Sequence, residues 1–86
     1  MADIIIYTTE FCPYCYRAKI LLDSKNVVYK EIDVTMNAEK RSEMTQMAGS
    51  QSVPQIFVDG KYIGDCDGIH MLENKGILNQ NLGIHS

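Results

Sequence analysis

Apolar and polar positions fall into short blocks along this chain. Residues 4–7 (Ile4, Ile5, Ile6, Tyr7) are apolar without interruption. That run predicts a short central strand covered on both faces. Beyond it, Ala18, Leu21 and Leu22 share one helical face while Arg17, Lys19 and Asp23 turn outward, predicting an amphipathic helix through 16–25. Asn26, in Ser24-Lys25-Asn26, can take the left-handed conformation that stops it. Residues 27–33 mix Val28 and Ile32 with Lys30, Glu31 and Asp33, a pattern that suits an edge strand better than a centre. Strand, helix and strand joined in this way predict a right-handed parallel crossover.

Asn37 can cap a second helix over 38–48, with Glu39 near its positive end and Gly49 closing it. Arg41, Met44, Met47 and Ala48 share the side expected to face inward. The polar loop Ser50-Gln51-Ser52 leads to Val53-Pro54. Residues 55–58 and 61–64 then flank Asp59-Gly60, a strong hairpin signal, so these two strands are antiparallel. Pro54 is tolerated just before a strand because no ladder hydrogen bond is asked of it there. Gly64 to Gly68 reads as a turn, with Asp67 as cap of a third helix whose apolar positions are Ile69, Met71 and Leu72. Gly76 interrupts it, leaving Ile77, Leu78 and Leu82 in a tail. The order βαβαββα gives an α/β fold with a four-stranded mixed sheet flanked by helices, the minimal thioredoxin-like architecture. No linker, repeat or low-complexity tract divides it, so residues 1–86 are expected to form one domain.

Composition narrows the function. The 86 residues are 45% hydrophobic and 22% charged with a net charge of -3, an ordinary globular balance with no basic footprint for nucleic acid. The N-terminal apolar run is too short for a signal peptide or membrane span and lacks a basic segment before it. The expectation is a cytoplasmic, unprocessed monomer. Three cysteines, an odd number, fit a disulfide-stapled secreted fold poorly and a redox-active or metal-binding pair better.

The chemistry concentrates in Cys12-Pro13-Tyr14-Cys15. Proline suits the first helical position, where its missing N–H costs nothing. That makes Cys12 the cap residue, its sulfur facing unpaired amides and the positive end of the helix dipole, which favours thiolate over thiol. Cys15, one turn on, can reach the same sulfur.

Three segments together resemble a dithiol glutaredoxin: Cys12-Pro13-Tyr14-Cys15, then Ser52-Val53-Pro54-Gln55-Ile56-Phe57-Val58-Asp59-Gly60, then Gly64-Asp65-Cys66-Asp67. The likeness runs from about residue 4 to 82. It implies a glutathione-dependent reductase of protein–glutathione mixed disulfides and protein disulfides. It further implies Cys12 as attacking thiol and Cys15 as resolving thiol, the latter dispensable for deglutathionylation. Tyr14 and Ser52 would lie along the glutathione site, and Val53 would pair its backbone with the cysteinyl part. Pro54 would follow a cis peptide bond that turns Val53 toward Cys12. Cys66 and Asp67 would meet the γ-glutamyl end, and Arg41 the glycyl carboxylate. Two positions depart from the family pattern. Thr9 stands where members commonly carry Lys, and Asp65 where they carry a second Gly; both changes weaken the attraction for an anionic ligand.

Other readings stay beside this one. Cys12, Cys15, Cys66 and His70 are ligand types a zinc ion accepts, although no metal is expected. Some glutaredoxins hold a [2Fe–2S] cluster between two subunits, though Cys-Pro-x-Cys is less typical of those. Cys66 alone can be a small buried hydrophobe. His70 reads as an ordinary helix surface residue, His85 as part of a frayed terminus, and Met44 and Met47 as core filler.

Overall fold

A computed structural model describes residues 2–84. The elements run β1 (Ile4–Thr8), α1 (Pro13–Ser24), β2 (Tyr29–Asp33), α2 (Ala38–Ala48), β3 (Gln55–Val58), β4 (Lys61–Gly64), α3 (Cys66–Asn74) and α4 (Leu78–Asn81). The sheet order is β2-β1-β3-β4. β1 pairs parallel with β2 and antiparallel with β3, and β3 pairs antiparallel with β4. The uninterrupted apolar run is thus central and the charged strand is an edge.

Both faces of β1 are covered, and alternate residues divide between them. Ile4 and Ile6 join Ile56 and Val58 under α1, α3 and α4, against Ala18, Leu22, Ile69, Leu78 and Leu82. Tyr7 and Phe57 face the other way, with Val34 just after β2 and Met44 of α2, and Ile5 packs at that margin. The Tyr7 and Phe57 rings meet edge to face, centroids 5.5 Å apart. Asp59 (φ 51°) and Gly60 (φ 81°) turn the hairpin. Both positive values are what a two-residue turn between twisted strands requires. Asn26 (φ 57°) ends α1 in the left-handed conformation, and Asn37 caps α2 by accepting from the Lys40 amide at 3.0 Å.

Five expectations need correcting. β2 begins at Tyr29 rather than residue 27, because Val28 stands 73% exposed ahead of the first β1 pairing, Ile4 with Tyr29. Met47 is 50% exposed: α2 rests on the sheet through Met44 and Ala48, an i, i+4 pair, and Met47 falls beside that narrow stripe. Met71 is 57% exposed, because α3 packs through Cys66, Ile69 and Leu72, an i, i+3 series on the opposite side of the helix. The α3 cap is Asp65, not Asp67: its Oδ1 accepts from the Gly68 amide at 2.8 Å, and Asp67 sits in the first turn. The tail also contains a fourth helix, since Leu78 and Leu82 at i, i+4 are both buried against the sheet. Among the described residues no helix is long and apolar enough to cross a membrane. His85 lies outside the described residues.

Candidate active site

The loop after β1 and the first turn of α1 put two thiols at the carboxyl edge of the central strand. Cys12 is the cap, with extended backbone (φ -106°, ψ 105°) and Pro13 following it in the first turn. Its carbonyl accepts from the Tyr16 amide at 3.1 Å, which starts the helix. Its Sγ accepts from the Cys15 amide at 3.2 Å, so the sulfur does the work that Ser or Asp does at most helix starts. Cys12 is half-buried and Cys15 buried, and no disulfide joins them. Burial raises the Cys15 thiol to about 12, with Cys12 adding to the rise and a backbone hydrogen bond from Thr9 opposing it. At neutral pH Cys15 is therefore a protonated thiol behind a partly accessible one.

Six expected residues, Tyr14, Ser52, Val53, Pro54, Cys66 and Asp67, line one groove of about 200 Å³ together with Asp65. The Val53–Pro54 peptide bond is cis, and the Val53 carbonyl oxygen lies 3.9 Å from Cys12 Sγ. The backbone of Cys66 and Asp67 opens α3 at the other end of this groove. Cys66 is 3% exposed and contributes to the core, and burial pushes its thiol pKa up. Both properties make it a poor nucleophile.

Two expected residues lie elsewhere. Thr9 lines a larger cleft, about 600 Å³, on the α1–β2 side of Cys12 with Lys19, Glu31 and Asp33. Arg41 lines neither cavity; its Nε and Nη2 donate to the Gln51 carbonyl at 3.2 and 2.9 Å. It thus grips the loop that leads into Val53. Gln55, by position only the first residue of β3, also grips that loop. It is 1% exposed, and its Nε2 donates to the Ser52 carbonyl and hydroxyl at 2.9 and 3.2 Å. A polar side chain inside an otherwise apolar strand was the available signal. Phe11 was also missed: it is wholly exposed beside Cys12, in the left-handed region at φ 56°, and no periodicity marks it.

Among the described residues no group of three or more His, Cys, Asp or Glu gathers to hold a metal ion. The Cys12, Cys15, Cys66, His70 zinc arrangement is therefore not assembled. His70 Nδ1 instead lies 2.8 Å from the Cys66 carbonyl oxygen, within its own helix.

A thioredoxin-like sheet with Cys-x-x-Cys at the start of its first helix defines a thiol–disulfide oxidoreductase. The glutaredoxin family model matches residues 4–63. The chain is 50% identical to glutaredoxin 3 of Escherichia coli strain K12 over 78 residues, 91% of this chain and 94% of that protein. The solution structure of glutaredoxin from Brucella melitensis superposes with a TM-score of 0.84 at 41% identity, covering all of this chain and 96% of that one. A buckwheat glutaredoxin–glutathione complex superposes with a TM-score of 0.85 at 27% identity, covering 95% and 77%. The chain belongs to the glutaredoxin family.

Proposed function

We propose that this chain reduces protein–glutathione mixed disulfides and protein disulfides with glutathione as electron donor. The observation that carries the proposal is the groove lined by Tyr14, Val53 and Asp67, which meets Cys12 Sγ at the Val53 carbonyl. A buckwheat relative of the same fold has been crystallised with glutathione.

In the first reaction the Cys12 thiolate attacks the glutathione sulfur of the mixed disulfide. A Cys12–glutathione disulfide forms, and the protein sulfur leaves as a thiolate that takes a proton from water. A second glutathione thiolate attacks that disulfide, releasing oxidised glutathione and restoring Cys12. In the second reaction Cys12 attacks a protein disulfide, Cys15 displaces the protein from the mixed disulfide, and two glutathiones reduce the resulting Cys12–Cys15 bond.

Val53 presents its backbone to the cysteinyl part of glutathione in a strand-like pairing. Ser52 and Pro54 hold that segment in place, and Tyr14 lies alongside. The first amides of α3, at Cys66 and Asp67, meet the γ-glutamyl carboxylate, and the Asp67 carboxylate meets its amine. Arg41 offers positive charge to the glycyl carboxylate from a position fixed by Gln51. Thr9 adds no charge there. The chain acts as one domain over residues 1–86, a cytoplasmic monomer. The test is turnover of glutathionylated 2-mercaptoethanol, coupled to glutathione reductase. Turnover that needs glutathione is the expected result. Activity with dithiothreitol but none with glutathione would sink the proposal.

A further inference from the structure

Cys12 stands between two cavities, and only the smaller has an occupant in the scheme above. We infer that the larger cleft, on the α1–β2 side, receives the polypeptide half of the substrate and favours segments with Lys or Arg beside the scissile cysteine. The inference rests on the proposed reaction and adds a substrate class to it.

The cleft measures about 600 Å³ and reaches both Cys12 and Cys15. Two aromatic residues on its wall are uncovered: Phe11 is fully exposed and Tyr16 is 66% exposed. The backbone holds Phe11 at φ 56°, an unusual conformation for a bulky residue, so a large apolar side chain stands uncovered next to the nucleophile. Its charged residues are Glu10, Lys19, Glu31 and Asp33. Lys19 is engaged by Glu31 at 3.1 Å, and that same Glu31 oxygen accepts from the Thr8 hydroxyl at 2.7 Å. Lys19 also acts on Asp33, so one cation faces the three carboxylates of Glu10, Glu31 and Asp33 and the cleft keeps a net negative charge.

Thr35 fixes the backbone at Glu10 and the carboxylate of Asp33. The Glu10 amide donates to Thr35 Oγ1 at 2.8 Å, and Asp33 Oδ1 accepts from the Thr35 amide at 2.8 Å. Hydrogen bonding from Thr35, its hydroxyl first and its amide second, holds the Asp33 carboxyl below the usual carboxylate range.

Charge and shape decide the occupant. Glutathione carries two carboxylates against one amine, so this cleft repels it. A lysine or arginine meets both features: its stem lies on aromatic surface while its head group reaches the carboxylates. Complementary charge of this kind acts on encounter and on specificity. A basic residue beside the substrate cysteine brings that cation to the cleft while the glutathione half fills the other groove.

The experiment compares two glutathionylated peptides that differ only in Lys or Glu flanking the cysteine. At low ionic strength KM for the Lys peptide should be about threefold to tenfold lower, and the ratio should shrink at 0.5 M salt, where the Debye length is roughly 4 Å. Glu10→Gln combined with Asp33→Asn keeps the side-chain shapes and should abolish the preference. The same variant should turn over glutathionylated 2-mercaptoethanol as the wild type does. Equal KM values for the two peptides, or a preference that survives in the double variant, overturns the inference. So does sedimentation showing a dimer at assay concentration that the double variant disrupts, since a second copy would then cover the cleft. Loss of activity on the small disulfide in the wild type would instead defeat the reaction itself.

Discussion

The backbone amide of Cys15 donates to the sulfur of Cys12 at 3.2 Å, while the Cys15 side chain is buried behind it. One residue therefore steadies its neighbour's sulfur through its main chain and holds its own thiol in reserve. A substitution at position 15 that keeps the amide leaves the first function intact. Cys12→Ser should eliminate both reactions. Cys15→Ser should retain deglutathionylation and lose the Cys15-dependent reduction of protein disulfides. Equal loss from both substitutions in the mixed-disulfide assay would refute this division.

The Cys15 environment also gives a pH-dependent stability. Burial is the main cause of its rise from 9.0 to about 12. Between those values the folded chain keeps the proton and the unfolded chain loses it. The folded state then binds more protons, and stability falls as pH rises. The contribution is complete below about pH 9 and is lost as pH climbs toward 12. Urea midpoints under reducing conditions should thus decline more steeply from pH 9 to 11 in the wild type than in Cys15→Ser. Parallel declines would mean that Cys15 is ionised in the fold or solvated.

Cys12 in a disulfide can no longer oppose Cys15 ionisation through its hydrogen bond or its charge, two of the causes of the rise. Capture of a substrate therefore makes Cys15 easier to ionise, though burial still acts against it. In the proposed reaction, where Cys15 resolves the mixed disulfide, this change acts in the direction the step needs.

Most of the architecture was legible because it depends on local chemistry. The run 4–7 reads as a central strand because both its faces are buried, and Asp59-Gly60 reads as a hairpin because both residues tolerate positive φ. The misplaced parts depend on packing angles. Met47 and Met71 carry core-like side chains at spacings that fit a wide stripe, but α2 and α3 touch the sheet along narrow ones. Asp65 and Asp67 are both competent caps, and only the path of the chain out of β4 selects the first. In the candidate site, motif alone names Cys12, Cys15, Val53 and Pro54, and the fold brings them together. Motif does not name Gln55 or the Arg41–Gln51 contact, because a brace between two loops leaves no spacing in the sequence.

That brace can be tested. Gln55 Nε2 makes both of its contacts to Ser52, and its Oε1 is buried with no hydrogen-bond partner among the described residues. Gln55→Met keeps the length and removes the donor, leaving the loop to Arg41. Losing a buried hydrogen bond of this kind costs about 1–2 kcal/mol, measurable by denaturant unfolding. Because Ser52 adjoins Val53, KM for a glutathionylated substrate should rise about threefold to tenfold, with kcat changed far less. A drop in stability with KM unchanged would show that Arg41 alone fixes Val53.

Asp65 joins two effects that a sequence reading treats as one. Against an anionic ligand its negative charge is unfavourable, and from that alone Asp65→Gly should improve glutathione binding. In the fold, however, its carboxylate accepts from the Gly68 amide at 2.8 Å and starts α3, the helix whose first amides line the groove. Asparagine separates the two effects, because it caps a helix about as well as aspartate does. Asp65→Asn should keep stability within about 0.5 kcal/mol. It should also lower KM for a glutathionylated substrate about twofold at low salt, with the gain fading as salt screens the charge. Asp65→Ala removes charge and cap together. It should cost about 0.5–2 kcal/mol and give a smaller gain in KM than asparagine, since the amides of Cys66 and Asp67 are then less firmly placed. Denaturant unfolding and KM at two ionic strengths read both quantities. An alanine variant as stable as wild type would mean that α3 is held by the packing of Ile69 and Leu72 and needs no cap.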